Sequence, residues 1–277
     1  MLKLNDVYFN YHNDTPQEIQ VLRGVSLSLG EGEYISLVGN NGSGKSTLAK
    51  VISGLLKPSG GTVTWSSEEN SCIKPGHRTR VGLILQNPDN QIVSGTVEED
   101  VAFGLENLQT PPVELKRKVE DTLRSLHLWD KKDHPTQLLS GGEKQKLAIA
   151  SIVVMEPECL ILDEATVLLD YRSKEQVLET IMFLKKTKGI AIIQITSCID
   201  EVIPSERVIL LDKGKVIYDG HISPFLKDSE IMGLIGFDLP AYAAISQELV
   251  GMGFINEICY TREELADRLL WEYQYRI

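Results

Sequence analysis

The chain has 277 residues, 42% apolar and 24% charged, which suits one large α/β domain with a small appendage. A formal net charge of −11 argues against a broad face for nucleic acid or anionic lipid. No apolar run approaches the ~18 residues of a membrane span, and the four cysteines (Cys72, Cys159, Cys198, Cys259) form no C-x-x-C pair, so reduced thiols in the cytosol are expected.

In chain order, Leu2–Phe9 alternates apolar and polar residues and reads as a strand. Asn10–Gln20 reads as a loop, Val21–Leu29 as a second strand, and Tyr34–Val38 as a short buried one. Thr62–Trp65 follows a turn, Ser66–His77 is polar and loop-like, and Val81–Leu85 is a buried strand. Residues 88–155 break the strand–helix alternation and read as a helical insertion, with helices over Glu114–Leu128 and Leu138–Val154. Cys159–Leu162 and Ile190–Ile195 are strands flanking a helix over Ser173–Lys186, for which Ser173 and Gln176 suggest a capping box. Val208–Leu211 and Lys215–Tyr218 form a hairpin pattern. From about residue 225 a helical accessory region follows, with Ala241–Val250 and a capping box at Thr261–Glu264.

The strand Tyr34–Val38 runs into Gly39-Asn40-Asn41-Gly42-Ser43-Gly44-Lys45-Ser46-Thr47, which fits G-x-x-x-x-G-K-[ST]. Glycines permit the backbone angles that let successive N–H groups ring a phosphate. A helix starting near Lys45 adds the positive end of its dipole. Lys45 is expected on the β- and γ-phosphates and the Ser46 hydroxyl on Mg²⁺. Downstream, Leu160-Ile161-Leu162 ends in Asp163 and Glu164. The first acid suits a magnesium ligand and the second a general base toward water.

Leu139-Ser140-Gly141-Gly142-Glu143 opens a helix with a hydroxyl and two glycine amides, a second anion site away from the P-loop. Two phosphate sites for one nucleotide suggest facing subunits that complete each other's pockets.

Together these segments resemble the ABC-type ATPases over about residues 1–225. The resemblance implies a RecA-like P-loop α/β core with an N-terminal antiparallel sheet and a helical subdomain. It places the Q-loop glutamine, a further magnesium ligand, on Gln86 and the signature loop on Leu139–Glu143. Asp163 takes the magnesium, Glu164 is the catalytic base, and Tyr11 stacks on the adenine. The implied cofactors are ATP and Mg²⁺. Residues Gln86–Val93 and Thr96–Asn107, with the C-terminal extension, further resemble the ATPases of energy-coupling factor importers for vitamins or metal ions such as cobalt or nickel. That implies a second ATPase subunit, identical or distinct, and a transmembrane coupling subunit docked near Gln86–Asn107. It also implies an indirect link to a substrate-binding membrane subunit and a place at the cytoplasmic face of the membrane.

Three positions depart from the family pattern. Ser197 stands where the resemblance implies a histidine at the γ-phosphate, and serine does not titrate near neutrality. Val167 occupies a D-loop position that usually holds a small residue. Glu143 replaces the more frequent glutamine of the signature. An unequal pair of composite sites is the expectation drawn from them. The rival reading is a soluble ATPase of DNA repair or translation. Such relatives carry a long coiled-coil insertion or a second copy of the domain, whereas this sequence has one P-loop and no sustained heptads. A module that senses ATP without hydrolysing it is a third reading, which Ser197 favours and Glu164 opposes.

Overall fold

The structure, a computed structural model, describes residues 2–12, 15–65, 80–237 and 240–275. Ser66–His77, expected to be a loop, and Cys72 within it lie outside the described residues. Three strands, β1 (Leu2–Tyr11), β2 (Ile19–Leu29) and β4 (Gly60–Trp65), form an antiparallel sheet in the order β2-β1-β4. β1 and β2 invade the expected Asn10–Gln20 loop, because Asn10 pairs with Gln20 and Tyr11 with Ile19. Backbone pairing there prolongs the ladder beyond the point where apolar alternation stops.

In the central sheet, β3 (Tyr34–Val38) pairs in parallel with β7 (Ala191–Ile195) and β8 (Arg207–Asp212). β6 (Cys159–Asp163) joins β7, β5 (Val81–Ile84) joins β6, and β9 (Lys215–His221) closes the other edge antiparallel to β8. Every residue of β3 and β7 is buried, as expected of strands covered on both faces. Side chains alternate between those faces. Ile35, Leu37, Ile161 and Ile193 pack toward the N-terminal sheet and α1 (Lys45–Ile52). Tyr34, Leu160, Leu162 and Ile192 pack toward the helices.

Those helices include α2 (Val97–Asn107), α3 (Pro112–Ser125) and α4 (Gly141–Val153), all inserted between β5 and β6. Val101, Leu105, Leu123 and Leu147 form their shared core. Buried Asp100 accepts from the Val93 and Ser94 amides and the Ser151 hydroxyl at 2.7–3.0 Å, tying α2 to the preceding loop and to α4. The helix α5 (Tyr171–Lys188) begins two residues before the expected Ser173. Its cap is Asp170, whose carboxylate accepts from the Ser173 amide and hydroxyl at 3.0 and 2.7 Å. Ser173 is thus a donor inside the first turn, and the proposed Ser173–Gln176 box does not form.

A single turn, α6 (Ile199–Val202), links β7 to β8. Four C-terminal helices follow: α7 (Ile222–Lys227), α8 (Ser229–Ile235), α9 (Ala241–Gly251) and α10 (Arg262–Tyr275). The Thr261–Glu264 capping box is present, with the Glu264 amide donating to Thr261 Oγ1 at 3.1 Å. This region leans on the core at two points: Asn40 Nδ2, just after β3, donates to the Leu234 carbonyl at 2.9 Å, and Tyr242 OH donates to Asp200 of α6 at 3.2 Å.

Strand order and register place the site. Leu37 of β3 and Asp163 of β6 both stand opposite Ile195 of β7. The segments leaving these three strands therefore emerge side by side at the carboxyl edge, where open α/β sheets bind ligands.

Candidate active site

At the end of β3 the chain enters Gly39, where a Cβ would lie 2.1 Å from the Leu211 carbonyl oxygen, so only glycine fits. Gly44 caps α1 at φ 108 with no side-chain hydrogen bond, which leaves the first-turn N–H groups without a side-chain cap. Lys45 is 6% exposed, and its Nζ donates to the Gly39 and Asn40 carbonyls at 2.7 and 3.1 Å. Burial lowers its pKa, and the charges of Glu164 and Asp163 partly restore it. Ser46 Oγ donates to Asp163 Oδ1 at 3.0 Å. Burial raises the Asp163 pKa, opposed by that hydrogen bond and by Lys50 and Lys45.

These groups surround a cavity of about 400 Å³. Asn41, Gly42, Gly44, Lys45, Ser46 and Thr47 line it, together with Gln86, Asp163 and Glu164. Val21 of β2 also lines it, a contact that a strand pattern gives no means of reading.

Other expected residues sit elsewhere. Gly39 and Asn40 turn their carbonyls to Lys45, and the buried Ser43 hydroxyl has no hydrogen-bond partner among the described residues. Tyr11 does not line the cavity. Its ring packs edge-on against Phe9 (centroids 4.9 Å apart) and its hydroxyl lies 3.3 Å from Thr47 Oγ1. Ser197 is exposed and lines a second cavity of about 160 Å³, which it shares with Glu164, Lys174 and Glu201. Glu164 touches both cavities. Its backbone is left-handed, φ 52, with its N–H donating to the Ile195 carbonyl at 3.0 Å. Val167 is exposed, whereas Thr166 beside it is buried.

Leu139–Glu143 lines neither cavity. Ser140 caps α4 in a reciprocal box: its Oγ accepts from the Glu143 amide at 3.4 Å, and the Glu143 carboxylate accepts from the Ser140 amide at 3.0 Å. Glu143 also forms an ion pair with Lys131. Hydrogen bonding to Lys131 is the main reason its carboxyl titrates below the ordinary range.

In the Gln86–Asn107 stretch, where a coupling subunit was expected to dock, the polar residues are partly committed within the chain. Asn87 accepts from the Asp89 amide at 3.0 Å, Asp89 pairs with Lys144 of α4 at 2.7 Å, and the Gln91 amide bonds Leu83 and Leu85 beside β5. Val93, Phe103 and Leu108 remain exposed there.

A P-loop, an acid pair and a serine-capped signature helix, carried on this mixed sheet, define an ATPase cassette of the ABC class. The family model described as ABC transporter matches residues 22–167. The Energy-coupling factor transporter ATP-binding protein EcfA1 of Caldanaerobacter subterraneus subsp. tengcongensis is 42% identical over 96% of this chain and 98% of its own length. The protein of that name from Clostridioides difficile is 38% identical over 97% and 98%. Among solved structures, cbiO1 from Clostridium perfringens, described as part of the ABC transporter complex cbiONQ, superposes with a TM-score of 0.74. It is 33% identical and covers 89% of this chain and 98% of its own. The dimeric cassette MJ0796 bound to ADP and Pi gives a TM-score of 0.69 at 27% identity, covering 80% and 99%. The chain belongs to the ABC transporter family, in its branch of energy-coupling factor ATP-binding subunits. It is an ATPase whose hydrolysis is coupled to transport.

Proposed function

We propose that this chain energises an importer for vitamins or metal ions, paired with a second, distinct ATPase subunit and docked on a transmembrane coupling subunit. The cytoplasmic face of the membrane is its place, and no helix among the described residues is long and apolar enough to cross the bilayer itself. One observation carries the reading: Lys45, Ser46, Gln86, Asp163 and Glu164 line one cavity, while Leu139–Glu143 does not. A partner's signature loop would therefore complete this pocket, and this chain's loop would complete the partner's.

The residues present fit a triphosphate and its cation. The α1 N-terminus has no side-chain cap, and Asp163 and Ser46 offer two hard oxygens beside Gln86. Mg²⁺ held there would neutralise charge between the β- and γ-phosphates. Lys45 binds and orients the phosphates, exchanging its two loop carbonyls for phosphate oxygens. Glu164 takes a proton from the attacking water, and the signature amides stabilise the developing charge. Coupling would pass through the exposed Val93, Phe103 and Leu108 near Gln86–Asn107. The Asp89–Lys144 ion pair joins that surface to the signature helix.

Ser197 makes the two composite sites unequal. It lines the smaller cavity behind Glu164, and its short side chain brings no titratable group to the γ-phosphate. The site built on Lys45 thus holds ATP more readily than it hydrolyses it. In the assembled transporter, Ser197→His is expected to raise turnover of this site severalfold, and Glu164→Gln to abolish it. Full turnover by a homodimer of this chain alone, or no change with Ser197→His, would overturn the unequal-site reading.

A further inference from the structure

Glu201 is a carboxylate only 2% exposed, and three side chains from three segments converge on it. Thr166 donates its hydroxyl to Oε1, Lys174 of α5 reaches Oε1 at 2.7 Å, and Gln194 of β7 donates to Oε2 at 2.8 Å. The Lys174 ammonium also donates to Cys198 Sγ at 3.1 Å, next to Ser197. One ion pair, its carboxylate buried and its lysine half-buried, thus fastens the segment after Glu164 to the segment carrying Ser197. Burial alone would lower the Lys174 pKa, but its bonds to Glu201 and Cys198 hold it above the ordinary value. Lys174 and Glu201 both line the 160 Å³ cavity that Glu164 and Ser197 share.

The need for such a fastening follows from Glu164 itself. A non-glycine residue at φ 52 is strained, and strain persists only where the surroundings over-determine the backbone. Among the described residues no hydrogen bond holds the Glu164 carboxylate, so its backbone aims it. Three ties hold that backbone: the Glu164 amide donates to the Ile195 carbonyl at 3.0 Å, the Val167 amide donates to the Glu164 carbonyl at 3.2 Å, and Thr166, two residues on, donates its hydroxyl to Glu201. Ile195 follows Gln194, whose side chain ends on the same Glu201 carboxylate. Two of the three ties, those through Thr166 and through the end of β7, therefore lead to one group.

We propose that Glu201 and Lys174 are a positioning pair for the hydrolytic step, holding Glu164 at its reactive angle through Thr166 and the end of β7. This rests on the reading of Glu164 as the base. Neither Lys174 nor Glu201 lines the P-loop cavity, so the pair governs the chemical step and leaves nucleotide binding alone.

The test uses the assembled transporter with the partner ATPase's own base substituted, so that turnover reports the Lys45–Glu164 site. Removing one charge of the pair strands the other and risks unfolding. The informative variants are therefore the double Lys174→Met with Glu201→Gln, and Thr166→Val. Both are expected to lower kcat roughly ten- to a hundredfold, the scale of a small misplacement of a catalytic group. KM for ATP should stay within about twofold. Thr166→Ser, which keeps the hydroxyl, should restore kcat. A double variant that melts like the parent and keeps its kcat overturns the proposal, as does a kcat loss in Thr166→Val that Thr166→Ser shares. Glu164→Gln separates the two levels: if it leaves this turnover unchanged, the reading of the base has failed and the positioning role falls with it.

Discussion

The N-termini of α1 and α4 are both glycine-rich helix starts with the same backbone dipole, yet they are left in opposite states. At α1, Gly44 offers no side-chain cap, the first turn carries no acid, and Ser43 leaves a buried hydroxyl unpartnered among the described residues. At α4, Ser140 and Glu143 cap each other, and Lys131 balances the acid. The first end is held open by its own fold and needs an external anion. The second carries an internal anion, which any phosphate must displace or tolerate. Helix polarity is the same at both ends; what differs is how far the chain has already engaged the donors, since at α4 only the Ser140 and Glu143 amides are bonded by side chains.

Breaking the open end should have the larger effect. Lys45→Met removes the only P-loop cation and its charge-assisted contacts, each worth ~1.5–3 kcal/mol. ATP affinity by calorimetry should fall on the order of a hundredfold or more. Burial disfavours the Lys45 charge, so removing it should leave the melting temperature unchanged or raised. A parallel loss of affinity and stability would mean that Lys45 holds the loop together and does not serve the nucleotide.

At the closed end, Gly142 is pressed against α5: a Cβ there would lie 2.8 Å from both Cβ and Oγ of Ser173. Gly142→Val should force α4 away from α5 at a cost of ~1–3 kcal/mol. Turnover at the partner's site should collapse, while ATP affinity at Lys45 stays within about twofold. Loss of affinity at Lys45 as well would show that the two ends are coupled within one chain.

The contrast also marks how far the sequence could be read. The P-loop, the Asp163–Glu164 strand end and the serine–glycine start of α4 are contiguous, so their chemistry is visible in local order. The sheet was legible where apolar runs alternate, and its ends were missed where pairing outlasts that pattern, as at Asn10 and Ile19. The α5 cap was misassigned because Asp170 and Ser173 are both capping residues. Only geometry shows that the serine donates to the aspartate. The contacts of Tyr11 were likewise beyond local order: its ring meets Phe9 edge-on and its hydroxyl lies 3.3 Å from Thr47 Oγ1. Glu201 and Lys174 lie 27 positions apart and meet only because the fold brings the first turn of α5 to α6. No spacing rule reaches that far.

The smallest effect expected is at Glu143, and it bears most directly on the comparison. Its pKa is lowered from an ordinary 4.5 by the hydrogen bond from Lys131, with burial opposing. A lowered carboxyl pKa means the pair adds stability that is full above pH 4.5 and is lost as pH falls through the folded value. Both side chains are substantially exposed, so the contribution should stay below about 1 kcal/mol. Glu143→Gln should therefore melt slightly lower than the parent near neutrality, and the gap should close in acid. The same change removes a negative charge from the end that a partner's γ-phosphate must approach, and frees Lys131 to face it. Turnover at the partner's site should rise by a fewfold, most clearly at low ionic strength. If it falls instead, the acid serves the phosphate by holding Ser140 and Lys131 in place, and the closed end is already in its working state.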